Sequence, residues 1–460
     1  MKKAIIIPIT ILLSLIIGMK FAYAESNTTI SISDSKITVN GEDISTNTSE
    51  KIYLSNKMDN GGESTDATSN NIEIDNIINI NSAGSYEFSG TLSDGQISVN
   101  ANNIIGEVRI ILNNVNITCK NAPAIFVYCK NVENENCKII IESKNGSINN
   151  IVGGKIKQSV EGWEDQDKIL YYVEKGYDDD RKYYERYKYD GAISSDISLT
   201  FEGEGTLNVT SSKKEGIESK MHITINKGTY NILSLDDGIN ASTDNISTIT
   251  INGGTILVNV LDDAEEGDGI DSNGYIYING GTIYAFAHPG SDNGLDSDLG
   301  TYINGGTVLS TGSMYEETKT SNNSTIVQMN FSQEVSENNS IAIVDENNNV
   351  VFAFKTDRKI STFAYSSSDL SNQNYSVYTG TAINGTLDKN NIYTNISSID
   401  LSKMQKQENS NTMRREPQDF KTTNNNVMPN TTEGIIVLIV LAIIVIIIIS
   451  IFIFSLFKKG

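Results

Sequence analysis

Short runs in which apolar and polar residues alternate recur along most of this chain. Ile30-Ser31-Ile32, Ile37-Thr38-Val39 and Ile249-Thr250-Ile251 are three of them. A period of two marks a strand that buries one face. Residues 26–108 are built this way, punctuated by Gly84, Gly90 and Gly95, and hold no amphipathic helix of three turns. Residues 109–117 read as the first clear turn of a repeating structure, and 138–141 as part of the next. The alternation resumes at Ile197-Ser198-Leu199-Thr200-Phe201 and runs to about Ser313. After a polar spacer it returns over 324–386, where Ile341-Ala342-Ile343-Val344 and Val350-Val351-Phe352-Ala353-Phe354 flank Asn347-Asn348-Asn349. That pairing predicts a hairpin.

Inside this alternation one phrase is copied four times. Ile-Asn-Lys-Gly-Thr stands at 225–229, and Ile-Asn-Gly-Gly-Thr at 251–255, 278–282 and 303–307, a recurrence of 25 to 27 residues. Such a period belongs to solenoids, in which each repeat buries its apolar face only against its neighbours. The predicted class is all-β, a parallel β-helix closed by a C-terminal β cap. Stacked turns place identical side chains about 4.8 Å apart. Asn226, Asn252, Asn279 and Asn304 then form an amide ladder, while Gly228, Gly254, Gly281 and Gly306 make corners.

A second phrase recurs between the first: Glu215-Gly216-Ile217-Glu218, Asp237-Gly238-Ile239-Asn240, Asp268-Gly269-Ile270-Asp271 and Asn293-Gly294-Leu295-Asp296. Here stacking has a cost. Like charges at strand spacing repel by roughly 3–4 kcal/mol per pair at a surface-type effective dielectric, before screening. Residues 221–313 carry twelve carboxylates, and Lys227 is the only lysine or arginine there. Relief by exposure leaves a solvated acidic edge, and relief by protonation leaves neutral carboxyls. Relief by a cation points to calcium, which takes six to eight oxygen ligands in flexible geometry. The candidate ligands are Asp237, Asp268, Asp271, Asp292, Asp296 and Asp298.

The remaining segments set the context. Residues 152–190 interrupt the repeats with a charged, tyrosine-rich insertion, which a solenoid places as a loop on one face. Candidate sugar-stacking aromatics are Trp163, Tyr171, Tyr172, Tyr183 and Tyr184 within it, and Tyr284 in the repeats. Lys2-Lys3, an apolar run and Ala22-Tyr23-Ala24 form a secretory signal, with a short N-terminal membrane span as the alternative. Residues 435–457 are apolar and uncharged, long enough to cross a bilayer, and Lys458-Lys459 place the tail in the cytoplasm. Met428-Pro429-Asn430-Thr431-Thr432 resembles a sortase signal, departing at its first and last positions, so covalent wall attachment stands beside membrane anchoring. Both place the protein at the cell surface. The expected division is signal 1–24, N-terminal β region or first turns 25–108, repeats 109–313, C-terminal β region 314–400, polar disordered stalk 401–434, span 435–457 and tail 458–460.

Composition removes some functions. A net charge of −22 argues against a nucleic-acid partner, which needs a basic footprint. Cys119, Cys129 and Cys137 cannot all pair and show no zinc spacing, so they read as buried apolar residues, with room for one bridge.

Ser89-Gly90-Thr91-Leu92-Ser93-Asp94-Gly95-Gln96-Ile97-Ser98-Val99, the 109–118 segment and the Gly-Thr and Asp-Gly-Ile turns resemble a clostridial family of secreted carbohydrate-binding proteins. The likeness spans about 30–385. It implies a right-handed parallel β-helix related in architecture to pectate lyases, bound calcium, and acidic plant polysaccharide such as polygalacturonate, or cellulose, as partner. Three functions follow. The first is a non-catalytic, calcium-dependent sugar binder. The second is a polysaccharide lyase, which needs calcium and a basic residue, with Lys213, Lys214, Lys220 and Lys227 available. The third is a structural adhesin whose insertion meets a protein partner.

Overall fold

The computed structural model describes residues 27–44, 51–57, 73–154, 172–178, 181–186 and 191–409, apart from 262, 265, 291, 315–317 and 320–323. The predicted leader and span, and most of the stalk, lie outside the described residues. So do Trp163 and Tyr171.

The described chain is all-β, with only two three-residue 3-10 turns, Ala101–Asn103 and Leu401–Lys403. Each repeat contributes one strand to each of three parallel ladders. One ladder contains Leu199–Gly203, Ile223–Ile225, Thr248–Ile251, Tyr275–Ile278 and Gly300–Ile303. A second contains Thr206–Ser211, Thr229–Ser234, Thr255–Val260, Thr282–Phe286 and Thr307–Gly312. The third is made of three-residue strands, Ile193–Ser195, Ile217–Ser219, Ile239–Ala241, Ile270–Ser272 and Leu295–Ser297. Sequence reading finds the first two and misses the third. The strands of the third lie inside the acidic phrase, which the polar surroundings disguise as a loop.

Register converts alternation into a core. Ile225, Ile251, Ile278 and Ile303 are stacked partners, as are Ile217, Ile239, Ile270 and Leu295. Tyr230, Ile256, Ile283 and Val308 form another such column. All are buried and belong to one continuous apolar cluster running from Ile30 to Val308. Each fully buried Ile or Val removes apolar surface worth about 1.5–3 kcal/mol from water. Stacking therefore holds repeats together that could not be stable singly.

The glycines mark two different constraints. Gly254 has φ +95°, a left-handed corner between strands. Gly238 has no such angle but lies against the next turn, where an added Cβ would stand 2.6 Å from the carbonyl oxygen of Gly269. That close approach explains why the acidic phrase keeps its glycine.

The first turns of the stack lie within 25–108. Thr28–Ser33 pairs in parallel with Gly84–Leu92, which pairs with Gly106–Thr118, so the N-terminal β region already belongs to it. At the other end Ile360–Ser366 runs antiparallel to Thr307–Gly312 and to Ile326–Val335, covering the last edge of the second ladder. The expected hairpin is present, with Ser340–Val344 antiparallel to Val350–Lys355. A separate core around Phe331, Phe354, Phe363 and Tyr365 packs against Tyr284 and Phe286, so the C-terminal region also lies on the outward side of the second ladder. The start of the predicted stalk is ordered: Gln405–Gln407 pairs with Ser376–Gly380. The three cysteines are buried thiols without a bridge. Burial raises the Cys137 thiol to about 11.

Candidate metal centre

The third ladder sets the geometry of the acidic phrase. In each strand the Ile or Leu points inward and the next residue is a register partner of its counterparts: Glu218, Asn240, Asp271 and Asp296 stand in one column. Backbone bonds continue the pairing backwards. Gly216 donates to the carbonyl of Asp237 at 2.9 Å, Gly238 to that of Asp268 at 2.9 Å, and Gly269 to that of Asn293 at 2.9 Å. Glu215, Asp237, Asp268 and Asn293 thereby form a second column, three residues before the first and just ahead of each strand.

The two columns converge. One carboxylate oxygen from each of Asp268, Asp271 and Asp296 lies within 4.8 Å of the others. Asp237 accepts the Asp268 backbone N–H at 2.8 Å, and Asp268 accepts that of Asn293 at 2.6 Å. Asn240 donates to Asp237 and, at 3.0 Å, to Asp271, while Asn293 donates to Asp296 at 3.1 Å. The Asn240 amide N–H groups are thus spent on carboxylates, and its Oδ1 is buried without a hydrogen-bond partner.

Charge is concentrated here at an energetic cost. Burial, reinforced by Asp236, pushes the Asp237 carboxyl up to about 7. Burial and the neighbouring Asp237, Asp296 and Asp271 raise Asp268 well above the ordinary range. Either protons or a cation must relieve this. The donors are all oxygens, which fits a hard cation such as calcium rather than a nitrogen- or sulfur-seeking metal. The orphaned Asn240 Oδ1 is a further oxygen of the kind such an ion takes.

Of the six predicted ligands, Asp268, Asp271 and Asp296 converge directly and Asp237 adjoins them. Asp292 stands at the edge, accepting the Gly267 N–H at 2.7 Å. Asp298 is exposed in the turn leaving the last strand and is not one of the converging carboxylates. Asn240 and Asn293 were missed, although both occupy repeat positions that stacking equates with aspartates.

The aromatic candidates fare differently. Tyr172, Tyr183 and Tyr184 fall on an antiparallel hairpin, Tyr172–Asp178 with Arg181–Arg186. Tyr284 is half-buried against the C-terminal core, and burial raises its phenol, so its ring is occupied in packing rather than offered to a sugar. Three half-buried tyrosines not anticipated from sequence, Tyr275, Tyr277 and Tyr302, stack on the outward side of the first ladder, with the Tyr277 and Tyr302 centroids 5.5 Å apart. The run Tyr275-Ile276-Tyr277-Ile278 carried that signal.

Stacked parallel ladders with a convergent set of side-chain oxygens define a repetitive all-β protein with a candidate hard-cation centre. The family described as carbohydrate-binding domain-containing protein matches residues 74–356, and the chain belongs to that family. A solved polysaccharide lyase-like protein from C. thermocellum, studied as a gadolinium derivative, is similar at 18% identity and TM-score 0.37. The match covers 65% of this chain and 95% of that one. No protein of curated function matches.

Proposed function

We propose that this is a non-catalytic, calcium-dependent carbohydrate-binding protein of the cell surface, built as a right-handed parallel β-helix, whose ligand is an acidic plant polysaccharide such as polygalacturonate. Family membership supports the sugar, and the 74–356 match contains all the converging carboxylates. The observation that carries the calcium reading is the convergence of Asp268, Asp271 and Asp296 beside the orphaned Asn240 oxygen. Asp237, Asp268, Asp271 and Asp296 would hold the ion, with Asn240 and the outlying Asp292 nearby. When bound, calcium supplies positive charge that a carboxylate-bearing sugar can share. Without it, an acidic polymer meets only like charge at these columns.

The basic groups support binding over elimination. A lyase base must be free to approach the proton it removes. Lys214 is buried in an ion pair with Asp236, and Lys220 contacts Asp196 at 2.6 Å. Lys227 faces Glu204 at 3.4 Å. Three of the four candidate bases are thus engaged by carboxylates of the chain itself, which supports binding over elimination.

The test is affinity electrophoresis through gels containing polygalacturonate, with calcium or with chelator, paired with calcium calorimetry. Retardation in calcium that weakens with chelator is expected. Equal mobility under both conditions, with no calcium heat, would refute the reading. Accumulation of unsaturated, ultraviolet-absorbing product would return the lyase alternative.

A further inference from the structure

A second concave site lies where the C-terminal β region meets the outward side of the second ladder. Leu257, Phe286 and Thr311 form its floor, and Lys355, Arg358 and Lys389 its wall and rim. It is a small, solvent-open cleft of about 90 Å³, below the ~300–1,000 Å³ of sites that enclose a drug-sized ligand, so it seats only a part of a larger ligand. Its charge is opposite to that of the chain. Three cations face it against Asp357 in the lining and Asp388 behind the rim, in a protein of net charge −22. Among the described residues neither Lys355 nor Lys389 has an ion-pair partner.

Arg358 shows that the site is built rather than incidental. The residue is 6% exposed. Nη1 donates to the carbonyls of Val260 at 2.9 Å and Ala287 at 3.1 Å, Nη2 to Asn259, and Nε to Asp357 at 3.1 Å. A guanidinium has five N–H donors. Four are used, and the remaining one, on Nη2, belongs to a buried cation lining the cleft. Thr311, 2% exposed, also lines it and has a hydroxyl without a partner. The guanidinium carbon stands 5.7 Å from the centroid of the Phe286 ring. The rim is fixed: the Asp388 carboxylate accepts the N–H groups of Asn390 at 2.8 Å and Ile392 at 2.9 Å, and Lys355 donates its N–H to Asn391 at 2.9 Å. Preorganisation of this kind lowers the entropic cost of binding.

We infer that this cleft binds one anionic unit of a saccharide, its acid group against Arg358, Lys355 and Lys389 and its apolar sugar face against Phe286 and Leu257. The inference rests on the carbohydrate-binding reading but requires no calcium. A cationic wall over an aromatic floor suits a sugar that carries a carboxylate, and charge-assisted bonds to it are the strong ones.

Calorimetric titration of the full-length chain with trigalacturonate in excess chelator tests it. Binding is expected in chelator, with affinity falling ~10-fold or more in Lys389→Glu and in Lys355→Glu, as loss of one charge-assisted bond predicts. Both side chains reach solvent, and Thr311→Val supplies a near-isosteric third variant with a smaller loss. Cellotriose should bind far more weakly, and a glucuronate trimer shows whether the acid group or the sugar configuration dominates. Unchanged affinity in both lysine variants, equal binding of cellotriose or of a tri-glutamate peptide, or no binding of either acidic trimer in chelator would overturn the inference. Such a failure with calcium-dependent retardation intact removes the cleft alone. Chelator-resistant binding without any calcium-dependent component removes the acidic columns instead.

Discussion

Replacing Asp237 by Asn, with calcium withheld, isolates what the acidic columns cost the fold. An unfolded chain lets this carboxyl titrate near 3.8, whereas the folded one holds its proton to about 7. A folded pKa above the unfolded one gives stability that is full below pH 4 and lost as pH rises through about 7. The interval corresponds to about 4 kcal/mol at 1.36 kcal/mol per pH unit. Asp268 is raised for the same reasons and adds in the same direction. Stability of the chelated protein should therefore decline by several kcal/mol between pH 4 and pH 8. Calcium should restore it at pH 8, by about 2.7 kcal/mol at a hundredfold excess over its Kd. Asn at 237 keeps an oxygen to accept the Asp268 N–H but cannot ionise. The variant should show a shallower pH slope in chelator and a smaller gain from calcium. Urea unfolding of both proteins at pH 4, 6 and 8, with calcium and with chelator, measures all of these. An identical slope in Asp237→Asn would show that this carboxyl does not bear the strain and refute the reasoning.

Other substitutions probe the stack. Gly238→Ala places a methyl group 2.0 Å from Val258 Cγ1 and 2.6 Å from the Gly269 carbonyl oxygen, and should cost at least the ~1–3 kcal/mol of overpacking in urea unfolding. Asn252→Ala interrupts the amide ladder, in which Asn252 donates to Asn226 at 2.9 Å and accepts from Asn279 at 2.9 Å; its exposed position limits the expected loss to ~1 kcal/mol by the same measurement. Arg109 bridges Glu142 at 2.6 Å and Glu202 at 2.9 Å across successive turns. Arg109→Ala should lower the thermal unfolding midpoint, and by less at high salt, so a salt-independent loss would contradict the ion-pair account.

The repeat made much of this legible. Alternation predicts the strands, the Asn-Gly-Gly-Thr corners predict the turns, and stacking predicts the ladder observed along Asn226, Asn252, Asn279 and Asn304. A second ladder, Asn116, Asn150, Asn208 and Asn231, escaped because its members sit in dissimilar phrases. The third parallel ladder escaped for a different reason. Its strands are three residues long, too short to establish a period, and only pairing with the next turn reveals them. That same register brings Asn240 into the aspartate column. Arg358 was illegible because its partners, Val260 and Ala287, lie about 100 and 70 residues away. No local pattern encodes a contact between a late loop and the side of an early stack.

Charge then ties the two sites into one account of recognition. With a net charge of −22, the body repels a polyanionic sugar over roughly the 8 Å Debye length of physiological salt. Contact can be favourable only where that sign is reversed. The cleft reverses it with fixed cations, and the acidic columns would reverse it only when loaded with calcium. Fixed cations give affinity that falls with salt whether or not calcium is present. The columns give affinity that tracks calcium and, because protons compete for Asp237 and Asp268, weakens below about pH 7. A polymer spanning both sites would gain avidity from their linkage. A short oligomer restricted to the cleft would not, so the calcium dependence of binding should grow with the length of the sugar chain.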